Sequence, residues 1–171
     1  MVLLAAPPTD SETQKALKYL GKAIYIACKF EEYCQHLVFV LEVRRPRVDI
    51  PSDEESFKAL VKLVNSKLIN LNKFISDQAK LREDATTLLY SARESRNYIV
   101  HEALRDFELQ IQKHDGFSQW QKKLTDELNS ISLGIAIVAV LLSRHTAEPK
   151  ITDSEFESYP NIVELWVFDR D

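Results

Sequence analysis

The stretch FSQWQKKLTDELNSISLGIAIVAVLL, residues 117–142, decides the fold class. Its large apolar residues Phe117, Trp120, Leu124, Leu128, Ile131, Ile135, Val138 and Leu142 recur at steps of three and four, the repeat of one helical face. Working outward, the same repeat appears upstream. Between Ser11 and Val43, Leu17, Leu20, Ile24, Ala27, Phe30, Cys34, Leu37 and Leu41 mark a long first helix, which Pro46 stops. Ser52 and Glu55 form a capping box before the seam Phe57, Val61, Val64, Leu68, Leu71 and Ile75. A further segment runs from about Asp77 to Leu104, with Leu81, Ala85, Leu88, Ala92, Ile99 and Ala103 facing the core. A loop holding His114, Asp115 and Gly116 then leads into the opening stretch. Four long amphipathic helices with short polar connections predict an all-α, up-and-down helical bundle over residues 1–147.

Length and composition agree with that expectation. At 171 residues, 45% hydrophobic and 28% charged, the chain can bury the core of one globular domain. Its three glycines, Gly21, Gly116 and Gly134, are far apart, which excludes glycine-rich loops that cradle phosphates or dinucleotides. Cys28 and Cys34 lie six apart on one helix, too far to bridge, and read as reduced core thiols. Neither they nor His36 have zinc-ligand spacing, and no cofactor or metal site is expected. No leader is evident, and the longest apolar run, Ile135 to Leu142, is shorter than a membrane span. A cytoplasmic protein is the expectation.

The net charge of −4 is unevenly spread. From Glu148 onward seven acidic residues face two basic ones, leaving the body close to neutral, with a basic cluster at Arg44, Arg45 and Arg47. Residues 148–171 therefore read as an acidic tail. Its apolar end, Ile162 to Phe168, needs a surface to dock on, as a short helix after Pro160 or as a strand. It could lie over a basic cleft or close the bundle.

The chemistry-bearing stretch is Arg93-Glu94-Ser95-Arg96-Asn97-Tyr98-Ile99-Val100-His101-Glu102. On a helical wheel centred on Ile99, Arg93, Asn97 and His101 fall at about 120°, 160° and 200°, opposite the core, while Arg96 flanks it at about 60°. Tyr90 and Val100, at about 180° and 100°, add apolar surface to that polar face, as a partner interface would. A solvated helix face is the plainer alternative.

The pattern Arg96-Asn97-x-x-x-His101 resembles the Arg-x4-His signature of the HEPN superfamily, small helical bundles that carry it on their third or fourth helix, commonly with a polar residue after the arginine. Random placement of nine arginines, four histidines and six asparagines would produce such a triple about 0.007 times. The resemblance implies a homodimer pairing through the motif helix at Tyr90 and Val100, and a metal-independent endoribonuclease of a toxin–antitoxin or defence kind. In that mechanism His101 moves the 2′-hydroxyl or 5′-oxygen proton, Arg96 stabilises the phosphate charge and Asn97 orients them. Arg93, Arg44, Arg45 and Arg47 are the expected RNA contacts. Partners implied are RNA or a nucleotide and an antitoxin protein, with no membrane. One branch of the family continues its signature as His-x-Tyr, with the tyrosine modified by nucleotide transfer; His101-Glu102-Ala103 departs from it. A catalytically silent nucleotide- or RNA-binding module and a helical protein-interaction scaffold are the alternative readings.

Overall fold

The computed structural model describes residues 10–43, 54, 55, 58, 81–146 and 149–170. Among them are five helices and no strand: α1 (Ser11–Val43), α2 (Glu83–His101), α3 (Ala103–Gln110), α4 (Gly116–His145) and α5 (Asp153–Phe168). The all-α helical bundle is therefore observed. The expected seam from Phe57 to Ile75 lies outside the described residues, as do Ser52 and the arginines at 44, 45 and 47. Glu54, Glu55 and Lys58 are helical, and Lys58 pairs with Glu54 one turn before it at 2.6 Å.

Helix α4 is the axis on which α1, α2, α3 and α5 all pack. Trp120, Leu124, Leu128, Ile131, Ile135, Val138 and Leu142 are buried as the spacing requires, with Phe117 partly covered. Surrounded by partners, this helix also buries Ser132, whose hydroxyl donates to the Leu128 carbonyl at 2.8 Å. It is long and apolar enough to cross a membrane, and 56% of that apolar window is buried inside the bundle. At Gly134 the packing is closest. A β-carbon there would stand 2.5 Å from the Ala92 methyl of α2 and 2.9 Å from the Phe30 ring of α1.

Helix α1 starts at Asp10, whose carboxylate accepts the Thr13 N–H at 2.8 Å and the Thr13 hydroxyl at 2.6 Å. These bonds hold the carboxyl below the usual range. The buried seam is Ala16, Leu20, Ala23, Ala27, Phe30, Cys34 and Leu37, with Ile26 and Val38 beside it. This corrects the sequence expectation in the first half of the helix, where Leu17 and Ile24 are 41% and 36% exposed. The alanines face inward there because their small side chains allow close approach, and the larger neighbours move to the flank. Cys28 is also exposed, against expectation, while Cys34 is buried and burial pushes its thiol up.

The described part of the expected segment from Asp77 to Leu104 divides between two helices, α2 and α3. α2 buries Leu89, Ala92, Ser95, Tyr98 and Ile99, so Leu89 takes the inward place expected of Leu88, which is half exposed. Glu102 leaves helical geometry at φ −122°, and α3 sets off to bury Ala103 and Phe107. The turn is anchored from α4. The Trp120 indole N–H donates to the Ala103 carbonyl at 2.8 Å, and the Phe107 and Trp120 rings meet edge-on with centroids 5.2 Å apart. Asp115, left-handed at φ 59°, then feeds α4, where a side chain at Gly116 would run into the Gln110 carbonyl.

The C-terminal stretch is helical and starts well before Pro160. Thr152 and Glu155 form a complete capping box, which fixes the start of α5 and leaves Pro160 in the helix interior. Val163, Val167 and Phe168 join the same hydrophobic core, and Phe168 meets Tyr19 of α1 edge-on with centroids 5.0 Å apart. Asp169 closes the helix at φ 53° and binds Lys22 and Lys18 at 2.6 and 2.9 Å. The segment thus closes the bundle against α1 and α4.

Two glycine substitutions should move stability in opposite directions. Gly134→Ala adds a methyl to a filled contact and should lower Tm by about 2–8 °C, overpacking outweighing the gain in helix propensity. Gly21→Ala, with nothing within 4 Å of the added carbon, should raise Tm by about 1–4 °C. Thermal unfolding followed by circular dichroism checks both signs.

Candidate functional site

Arg96, Asn97 and His101 occupy the last two turns of α2. Arg96 leans from the flank toward α1, as its wheel position requires. Its Nη2 donates to Glu31 Oε2 at 2.6 Å and its Nη1 to Asn97 Oδ1 at 3.3 Å. The Arg96 side chain is 24% exposed and Glu31 44%, so solvent screens the pair and its contribution to stability is below about 1 kcal/mol. Its effect is positional: the guanidinium is held between an α1 carboxylate and the adjacent amide.

His101 ends α2 and is exposed. Arg96 and His101 are separated by about 7.5 Å along the axis and about 140° around it, so one helix does not bring their head groups to a point. Arg93 is exposed, Tyr90 is 41% exposed, and Val100 is half-buried against the core. His36 on α1 and His114 in the α3–α4 turn are exposed, and His114 Nδ1 lies 2.8 Å from Asp115 Oδ2. Among the described residues, no group of three or more His, Cys, Asp or Glu side chains is arranged to hold a metal ion.

Sequence reasoning passed over two features of this region. One is Glu31, which carries no local signal because its partner is 65 residues away. The other lies behind the motif. The Tyr98 hydroxyl donates to Asp106 Oδ2 at 2.8 Å, and Lys123 Nζ donates to the same oxygen at 2.8 Å while sitting 4.1 Å from the Tyr98 ring centroid. Lys123, followed by Tyr98, holds the Asp106 carboxyl below the usual range against the opposing effect of burial, and burial pushes the Tyr98 phenol up. The cluster locks α2, α3 and α4 together beside the motif helix's end.

Comparison with known protein families, curated proteins and solved structures finds no match for this chain.

A depressed native carboxyl stabilises the fold above the unfolded-state pKa, about 3.9 for Asp, and the gain is lost as pH falls through the lower native value. Asp106→Asn should therefore melt at a lower temperature than the parent at pH 6–7, and the gap should shrink below about pH 4. Melting curves of both proteins across that range check the sign.

Proposed function

We propose that this chain is a HEPN-like, metal-independent endoribonuclease acting as a cytoplasmic homodimer in a toxin or defence role. The observation that carries the reading is the Arg96-Asn97-x-x-x-His101 motif at the end of a long bundle helix, with the imidazole exposed and the guanidinium held by Glu31 and Asn97. The separation of Arg96 and His101 on one helix supports a composite site, since a two-fold axis beside His101 supplies a second set. His101 takes the 2′-hydroxyl proton, and the 2′-oxygen attacks the adjacent phosphorus. Arg96 stabilises the charge gathering on the phosphoryl oxygens, and an imidazolium protonates the departing 5′-oxygen. The products are a 2′,3′-cyclic phosphate and a 5′-hydroxyl.

The Arg96–Glu31 ion pair favours a second reading, because a phosphate must displace a carboxylate already seated on the guanidinium. In that reading the motif is a silent RNA- or nucleotide-binding module, or the surface of an interaction scaffold.

Cleavage of labelled RNA in the presence of a metal chelator, with sedimentation, separates the two. The endoribonuclease reading expects a dimer, cyclic-phosphate ends, and a loss of about 100-fold or more in folded His101→Ala and Arg96→Ala proteins, with non-additive losses in the double variant. Undiminished cleavage by folded His101→Ala overturns it. RNA that is bound but never cut, and bound more tightly by Glu31→Gln, establishes the silent module instead.

A further inference from the structure

Away from the motif, a cleft of about 290 Å³ opens between α4 and α5, with Tyr33 of α1 at its edge. It exists because α4 presents Ala136 and Ala139 where α5 passes over it, so small side chains leave a gap that the α5 residues roof without filling. Its walls are aliphatic and aromatic, the rings being Tyr33, Phe156 and Tyr159. Among the described residues no lysine or arginine lines it, and the charged residue in its lining is Glu155.

We propose that this cleft binds a small quaternary ammonium cation of the choline type, with Tyr33, Phe156 and Tyr159 as aromatic walls and Glu155 as counter-charge. Aromatic faces carry negative quadrupole density and attract a cation that sheds its water. Glu155 stays ionised because it accepts the Thr152 N–H and hydroxyl, each at 2.8 Å, and these bonds hold its carboxyl below the usual range. Tyr159 stays a neutral phenol, since burial pushes it up.

A primary ammonium needs acceptors for three N–H groups, and part of the polar set here is already committed. Glu155 Oε2 is already engaged by Thr152, and the Ser158 hydroxyl donates to the Glu155 backbone carbonyl at 3.4 Å. A methylated ammonium needs no acceptors, and its methyl coat suits apolar walls. The neighbouring Lys29 does not supply a competing free charge: its Nζ is 2.6 Å from Glu32 and lies over the Tyr25 ring. The volume suits a ligand at the small end of the usual range.

The test titrates the whole protein with choline and, in parallel, with 3,3-dimethyl-1-butanol, its uncharged carbon isostere, following backbone amide resonances. Choline should produce saturable shifts confined to residues 135–139 and 151–162 and to the turn of α1 around Tyr33, with an affinity about tenfold or more above that of the isostere. Glu155→Gln keeps the capping box, in which glutamine also serves, and should weaken choline binding about three- to tenfold. Tyr33→Leu, a change at a half-exposed position, should weaken it similarly, whereas Tyr33→Phe keeps the ring face and should leave it unchanged. Equal affinity for the isostere, unchanged binding by Glu155→Gln, or the lack of any saturable shift each overturns the proposal. None of these outcomes depends on whether the chain cuts RNA, because no residue of α2 lines the cleft.

Discussion

At Gly134 the central helix comes so close to Ala92 of α2 and Phe30 of α1 that a single added methyl would have no room. Helices in ordinary contact keep 8–10 Å between axes, and bulky side chains set that spacing. Removing the side chain from α4 at this level lets the Phe30 ring and the Ala92 methyl occupy the space instead. The inward alanines of α1, at 16, 23 and 27, continue the same economy of size along the bundle. Positions around the contact inherit its geometry, among them Ser95 and Ile99 one and two turns beyond Ala92, and so does the direction in which α2 delivers Arg96 and His101.

How legible the fold was depended on which residue types marked each face. The α4 face could be read in full because large apolar residues fill every inward step and polar ones occupy the outward steps between Phe117 and Leu128. The first half of α1 misled because Leu17 and Ile24 outrank Ala16 and Ala23 in hydrophobicity, while packing selected for size. In α2, adjacent leucines at 88 and 89 offered two registers, and tertiary packing chose the second. The break at Glu102 carries neither glycine nor proline, and what makes it, Trp120 and Asp106, is specified only once α4 is in place. The start of α5 was written in the chain as Thr152-Asp153-Ser154-Glu155, a capping box whose signal the proline eight residues on from Thr152 obscured. Of the candidate site, the motif and its helix were readable from local sequence. Its electrostatic setting was not, because Glu31 reaches Arg96 only through folding.

The end of the motif helix combines a fixed rear with an open front. Behind His101, the Tyr98–Asp106–Lys123 cluster and the Trp120–Ala103 bond tie the chain to α4, so the backbone that presents the imidazole is braced from two sides. In front, His101 itself is exposed at the helix terminus. Such an arrangement suits a side chain whose position must be reproducible while its head group stays accessible. Arg96 is held differently, by an ion pair in reach of solvent, where an incoming anion can compete with Glu31.

The two tryptophans give the molecule a built-in optical readout of its own construction. Trp120 is 1% exposed in the core with its indole hydrogen-bonded to backbone, whereas Trp166 is 47% exposed on α5, with the Lys22 ammonium 5.1 Å from its ring centroid. A buried indole emits at shorter wavelength and is shielded from a dissolved quencher such as acrylamide; an exposed one emits further to the red and is quenched readily. Fluorescence from this single chain therefore carries two separable channels, one reporting on the joint that turns the chain behind the motif and the other on the seating of the closing helix.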